Sequence, residues 1–214
     1  MPADPSGSCN PRRDAGLKGV TGTGVHAGDE DVQLMLALRA GDESAFDALF
    51  QRWSPPLLRY LKRMLRDAAS AEDLVQEAFL RLYRARERYQ PDARFSTWLF
   101  TIANRLALNE LRRPRHRSPH QSTDDDGEGA PLALVAEQAG VDDVVHARRI
   151  GESVEQALEG LPERQRAALW LSAVEGLSYA EVAASLETTE KSVKALVHRA
   201  RSALADRLAG DTEK

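Results

Sequence analysis

Residues 188–204 read TTEKSVKALVHRARSAL, with basic and apolar residues interleaved and no acid after Glu190. At 100° per residue, Val193, Leu196, Val197, Ala200 and Leu204 fall on one side of a helix, at i, i+3, i+4, i+7 and i+11. Lys191, Lys194, His198 and Arg201 form a stripe opposite, with Ala195 and Arg199 beside it. Thr189 can cap this helix and Glu190 suits the positive end of its dipole. Three readings fit such a helix: a DNA reader, a membrane-surface helix, or a core helix with a solvated basic edge. The membrane reading is the weakest, because the apolar side holds Val, Leu and Ala but no Trp or Phe.

The residues just upstream separate the other two. Ser178-Tyr-Ala-Glu181 has the form of a capping box that opens a helix over 179–186. Only Glu187 and Thr188 lie between it and the helix at 189–207. An earlier helix over 162–175 is opened by Pro162 and closed by Gly176. A short helix, a tight turn and a longer basic helix make a helix-turn-helix, whose second helix reads the major groove.

The rest of the chain divides around this unit. Its 214 residues suit one domain or two small ones. Residues 1–28 are a Gly/Pro-rich extension expected to be disordered, and 29–113 is almost continuously helix-like. Residues 114–140 carry Pro114, Pro119, Pro131 and the run Asp124-Asp125-Asp126, the mark of a flexible acidic linker. Helical periodicity returns over 141–208, and 209–214 is a polar tail. The expected fold is all-α, two small helical domains on a flexible linker, the C-terminal one a helix-turn-helix.

Composition excludes several functions. No apolar run approaches the roughly 18 residues a membrane span needs, and the N-terminal stretch lacks a signal peptide's apolar core. Membrane insertion is not expected, and a cytoplasmic setting is. Cys9 stands alone, so no internal disulfide and no cysteine-based zinc site can form. His116 and His120 are four apart, but Pro119 interrupts any helix there and no ligand cluster surrounds them. No phosphate loop or nucleophile elbow occurs, so neither catalysis, a metal nor a cofactor is expected. The net charge of −4 is unusual for a protein that binds DNA alone, since phosphate neutralisation supplies most such affinity. A partner that holds it on DNA is implied.

Two helices dominate the N-terminal domain. Ser70-Ala-Glu-Asp73 reads as a cap for a helix over 71–86, whose apolar side holds Leu74, Val75, Ala78, Phe79, Leu82 and Tyr83. Its other side carries Asp73, Gln76, Glu77, Leu80 and Arg84, with Leu80 a candidate anchor among acids. The helix over 96–113 is apolar on most sides and leaves a narrow polar stripe of Thr97, Thr101, Asn104, Arg105 and Arg112. Between them Arg81, Arg84, Arg86, Arg88 and Arg94 alternate with Tyr83, Tyr89 and Phe95. That mixture suits single-stranded nucleic acid, or equally an aromatic core with solubilising arginines.

Three stretches carry a family likeness. AEDLVQEAFLRLYRARERY (71–89), RFSTWLFTIANRLALNELRR (94–113) and LPERQRAALWLSAVEGLSYAEVAASL (161–186) resemble the extracytoplasmic-function (ECF) branch of the bacterial sigma-70 family. The likeness spans about 30–113 and 142–208, in the family's order. It implies a transcription initiation factor that binds core RNA polymerase through the β′ clamp helices and the β flap, opens promoter DNA and answers to an anti-sigma factor. Asp73, Gln76, Glu77 and Leu80 then meet the clamp. Phe95, Ser96, Thr97, Trp98, Asn104, Arg105 and Arg112 melt and read the minus-ten element. Lys191, Lys194, Ala195, His198, Arg199 and Arg201 face the minus-thirty-five element. Two positions depart from the family pattern: Glu187 stands where Gly is usual, so the turn is expected to differ, and Leu196 where many relatives carry Arg. The wheel predicts that Leu196 packs. The alternative is a helix-turn-helix regulator that never joins polymerase, which leaves both N-terminal polar surfaces without a purpose.

Overall fold

The computed structural model describes residues 28–113 and 154–212. The expected disorder of the extension, the acidic linker, Cys9, His116 and His120 therefore lie outside the described residues. Among those described there is no strand.

The N-terminal unit is α1 (Glu30–Arg39), α2 (Ser44–Leu65), α3 (Ala68–Ala85) and α4 (Phe95–Leu111), with a 3-10 turn at Arg86–Arg88. Asp29 caps α1 by accepting from the Asp31 N–H at 3.1 Å. Gly41, at φ 102°, allows the sharp reversal into α2. Helix α2 runs through Pro55 and Pro56 and ends at Arg66, which takes the left-handed conformation and returns its N–H to the Lys62 carbonyl. It packs on α1, α3 and α4. Tyr60, Phe79, Phe95 and Phe100 are the largest fully buried rings, each supplying about 1.5–3 kcal/mol of burial.

Helix α3 starts three residues before the position expected from Ser70. Asp67 is the extended N-cap residue, and the Ser70 hydroxyl turns back to its carboxylate. Ser70 is thus buried in the first turn. Leu74 and Tyr83, read as core, are only partly buried at its edge.

The C-terminal unit begins with α5, residues 154–159, and continues as α6 (Glu163–Ala173), α7 (Tyr179–Ser185) and α8 (Glu190–Thr212). Both halves of the capping box form: Glu181 N–H donates to Ser178 Oγ and Ser178 N–H to Glu181 Oε2. Thr189 Oγ1 accepts from the Ser192 N–H at 3.2 Å. Val193, Leu196, Val197 and Ala200 are buried against α6 and α7, as the wheel predicts. The tail expected from 209 is instead helical through Thr212.

Glu187 corrects the expectation for the turn. It adopts φ 50° and keeps the left-handed geometry that Gly would adopt without strain. That conformation costs a non-glycine residue about 1–2 kcal/mol.

Candidate nucleic-acid and polymerase interfaces

The basic stripe of α8 faces solvent. Lys191, Lys194, Ala195, His198, Arg199 and Arg201 are all exposed, and Ala195 leaves room for close approach to a groove. Lys194 pairs with Glu190 one turn earlier at 3.1 Å, an exposed contact of small energy that a phosphate can displace. Leu196 is only 8% exposed. It lines a cavity of about 820 Å³ together with Met64, Leu65 and Leu111 of the N-terminal unit.

The second candidate surface lies on α3. Asp73, Gln76, Glu77 and Leu80 sit at i, i+3, i+4 and i+7 and share one face. Leu80 is 49% exposed, among the largest apolar exposures of the described residues. Asp73 and Glu77 line a cleft of about 340 Å³ between α3 and α4, and Glu77 accepts from Arg81 Nε at 2.7 Å. An exposed apolar anchor on a face shared with Asp73, Gln76 and Glu77 suits a protein partner.

The polar stripe of α4 is the third, and here the structure corrects the reading of an exposed stripe. Thr97 and Asn104 are each 3% exposed, Thr101 is buried and Phe95 is in the core. Ser96, Trp98 and Arg105 are partly exposed and Arg112 fully so. Helix α7 of the C-terminal unit covers the middle of the stripe. Asn104 Nδ2 donates to the Ser185 carbonyl at 3.4 Å, and Ser185 Oγ donates to the Thr97 carbonyl at 3.2 Å. The Arg105 guanidinium binds the Glu187 carboxylate. A helical wheel locates a polar stripe but says nothing about what lies over it.

Tyr60 is a member of this site that sequence reasoning missed. Its hydroxyl donates to Asn104 Oδ1 at 3.0 Å and so fixes which way the amide points. Burial pushes the Tyr60 phenol well above its ordinary value, which keeps it a neutral donor. Its only sequence signal is an aromatic with a polar tip on the apolar side of α2.

A second seam joins the units. Arg63 binds Glu155 at 2.7 Å and lies 5.5 Å from the centre of the Trp170 ring. Arg166, 3% exposed, donates to the Met64 carbonyl at 3.1 Å, a free acceptor at the end of α2, and to the Glu159 carbonyl at 3.2 Å. Burial, then the neighbouring Arg66, lowers the Arg166 pKa.

The mixture of arginines and aromatics at 81–95 divides. Tyr89 and Phe95 are buried, while Trp98 packs 5.0 Å from Tyr89 with one edge in solvent. Tyr83 is partly exposed and carries the Arg86 guanidinium 4.0 Å above its ring. These rings are mainly core, and Trp98 is the one in this group with both an open edge and a neighbouring polar stripe.

Comparisons with known proteins agree with this architecture. A family model of sigma-70 region 2 matches residues 49–117 and one of sigma-70 region 4 matches 151–204. The RNA polymerase sigma-H factor of Pseudomonas aeruginosa is 32% identical over 182 residues, 82% of this chain and 92% of that protein. The RNA polymerase sigma factor CarQ of Myxococcus xanthus is 36% identical over 179 residues, 84% of this chain and 97% of the relative. The ECF RNA polymerase sigma factor SigE of Mycolicibacterium smegmatis is 34% identical over 188 residues, 86% and 71% of the two chains. Among solved structures, CnrH in complex with the cytosolic domain of CnrY aligns with a TM-score of 0.61 at 23% identity, covering 86% of this chain and 99% of CnrH. The sigma factor RpoE in complex with the anti-sigma factor NepR, from Bartonella quintana, aligns at 0.60 with 22% identity, covering 77% and 96%. These two share the fold.

Proposed function

The chain belongs to the ECF branch of the sigma-70 family, and from that premise we propose how its surfaces divide the work of initiation. It is a promoter-specific initiation factor that acts with RNA polymerase. The domain limits, residues 29–113 as region 2 and 141–208 as region 4, are part of the proposal. So are the residue roles that follow.

The α3 face of Asp73, Gln76, Glu77 and Leu80 docks on core polymerase, with Leu80 as its apolar anchor. Arg105 and Arg112 steer the single-stranded minus-ten element, Ser96 and Trp98 meet its bases from the surface, and Thr97 and Asn104, which α7 covers in this structure, are assigned to the same element, with Phe95 as the core support beneath Trp98. Lys191, Lys194 and Arg201 fall at phosphate distance along the minus-thirty-five groove, and Ala195, His198 and Arg199 reach base edges. With Leu196 turned inward, readout there rests on Lys194, His198 and Arg199. Two weak contacts on one tethered protein act as a strong one through effective concentration. Capturing an unstacked base offsets the few kcal/mol spent on unstacking it.

Sigma-70 proteins are a non-catalytic family, and we assign this chain no reaction of its own. A cytoplasmic site of action follows from the polymerase it serves. No described helix is long and apolar enough to cross a membrane. Control by an anti-sigma factor is proposed by analogy with the Bartonella quintana relative, which was solved with one.

The observation that carries this reading is one chain with two unlike exposed faces, an acidic one anchored by Leu80 and a basic stripe on α8. A free-standing regulator needs only the second. The test adds purified chain to sigma-free bacterial core polymerase over a pool of promoter fragments. Promoter-dependent transcripts are expected. Absence of both co-purification and initiation at every fragment would sink the reading.

A further inference from the structure

We propose that the cavity between the end of α2 and the start of α6 is a binding site for a nucleoside phosphate. The promoter-reading surfaces make no use of this cavity, so the inference goes beyond that reading.

A buried charge without a counter-charge points to a ligand. Arg166 is 3% exposed and lines the cavity. Its terminal nitrogens donate to main-chain carbonyls, Nη1 to Glu159 and Nη2 to Met64, and its Nε is buried with no hydrogen-bond partner. Among the described residues it makes no ion pair. A guanidinium this far from water normally has an anion to offset the lost hydration. Instead, burial and the charge of Arg66 hold its pKa down and outweigh the opposing pull of Glu163 and Glu159.

Other donors around the cavity are also left over. Arg66 and Arg164 line it and are exposed. Arg66 has no carboxylate partner among the described residues, and Arg164 makes one long bond, from Nη2 to the Leu186 carbonyl at 3.3 Å. Helix α6 begins here. Pro162 supplies it with no side-chain cap, and the Pro162 carbonyl takes the N–H groups of Gln165 and Arg166. Those of Glu163 and Arg164 remain at the positive end of an 11-residue helix, where phosphates bind. The carbonyl ends nearby are already occupied. Arg166 holds Met64 at the end of α2, while Arg207 donates to Ala157 at 2.6 Å and to Gly160 at 2.9 Å, at the end of α5. Three guanidiniums and a helix N-terminus thus share one cavity, and guanidiniums bind phosphate in two-pronged fashion.

Size and the remaining lining select the ligand class. A volume of about 820 Å³ falls within the roughly 300–1,000 Å³ of small-molecule sites and exceeds what a lone phosphate fills. Met64, Leu65, Leu111 and Leu196 form an apolar wall suited to a base. Leu196, which stands where many relatives carry Arg, therefore gains a use in its inward position. Glu159 adds a carboxylate that can accept from sugar hydroxyls, as acidic residues do toward ribose in dinucleotide sites. A nucleoside phosphate carries all three complements in one molecule.

The test titrates the free full-length chain with guanosine diphosphate, adenosine diphosphate, pyrophosphate and guanosine at physiological salt, by calorimetry and thermal melting. Each nucleoside diphosphate should bind at a single saturable site and raise Tm. Pyrophosphate should bind at least tenfold more weakly, and guanosine not measurably. Arg66→Gln with Arg164→Gln, both exposed and outside the proposed DNA-reading residues, should weaken nucleotide binding at least tenfold. Because Arg66 repels Arg166, Arg66→Gln alone should melt no lower than the parent without ligand. Lys191→Ala with Lys194→Ala should leave nucleotide affinity unchanged, which separates the cavity from the basic stripe of α8. The absence of heat and of any rise in Tm with both diphosphates overturns the site. So does a loss of binding that follows Lys191 and Lys194 rather than Arg66 and Arg164. Equal affinity for pyrophosphate and the nucleotides overturns the nucleoside assignment. Binding is read on the chain alone, so it stands or falls separately from the polymerase reading.

Discussion

The side-chain amide of Asn104 donates to the main-chain carbonyl of Ser185 at 3.4 Å, across 81 positions of sequence. A residue proposed to read promoter DNA is thus spent on the first helix of the other unit's helix-turn-helix. Tyr60 holds the other end of the same amide. The bond therefore links the N-terminal core, the minus-ten reader and the C-terminal unit, and each can be tested separately.

Charge reversal at Asp73 and Glu77 to Lys should abolish co-purification with core polymerase, a loss of at least tenfold in affinity. The fold should survive, because Asp73 is exposed and the Glu77–Arg81 pair is an i,i+4 surface contact worth about 0.3–0.5 kcal/mol. Circular dichroism and a pull-down measure the two effects. Unchanged affinity would mean that the polymerase interface lies elsewhere.

Tyr60→Phe leaves Asn104 Oδ1 without its buried donor and should destabilise the chain by about 1–3 kcal/mol near neutral pH. It should also change the alkaline limb. The buried phenol keeps its proton far above the ordinary value of 10.0, whereas the unfolded chain releases it there. Tyr60 therefore adds no slope below about pH 10, and above it native stability falls by about 1.4 kcal/mol per pH unit. Urea midpoints taken between about pH 8 and 11 should fall less steeply in the variant. Parallel slopes would show that Tyr60 ionises in the native state.

Ser178→Ala removes one half of the capping box at α7 and should cost about 1 kcal/mol. Helix α7 has only seven residues, so its cap is a large share of its order. Thermal melting should show the loss as a lower Tm with an unchanged helical spectrum. No drop in Tm would show that packing on α4 and α8 holds α7 without its cap.

On α8, Lys191→Ala and Lys194→Ala should weaken promoter binding evenly across sequences. Each should lower the slope of log K against log salt by about 0.9. Arg199→Ala should instead relax preference at a base position, by about 1–3 kcal/mol. Salt titrations of holoenzyme binding to mutated minus-thirty-five duplexes separate the two behaviours. A uniform loss with Arg199→Ala would make it a phosphate contact.

Much of the molecule was legible in its residues alone. The Ser178–Glu181 box, the Thr189 cap and the apolar line of Val193, Leu196, Val197 and Ala200 each depend on backbone geometry within a turn or two. Such features follow from spacing because a helix repeats every 3.6 residues whatever surrounds it. Leu80 on a polar face was visible for the same reason. The start of α3 was less so: the N-cap position falls at Asp67, three residues before Ser70, and the Ser70 hydroxyl donates to the Asp67 carboxylate instead of capping the helix itself.

What only the tertiary structure decided is the fate of the polar stripe on α4 and of the turn at Glu187. Thr97, Thr101 and Asn104 look solvent-facing on a wheel, yet all three are buried: α7, some 80 positions later, meets Asn104 with a carbonyl and Thr97 with a hydroxyl, and Thr101 turns its own hydroxyl back to the Thr97 carbonyl. Glu187 breaks the local preference for Gly at a left-handed position, and its carboxylate has a partner in Arg105, 82 positions away. Periodicity fixes which residues share a face. Which face meets which depends on contacts between distant segments, and no window of neighbouring residues contains them.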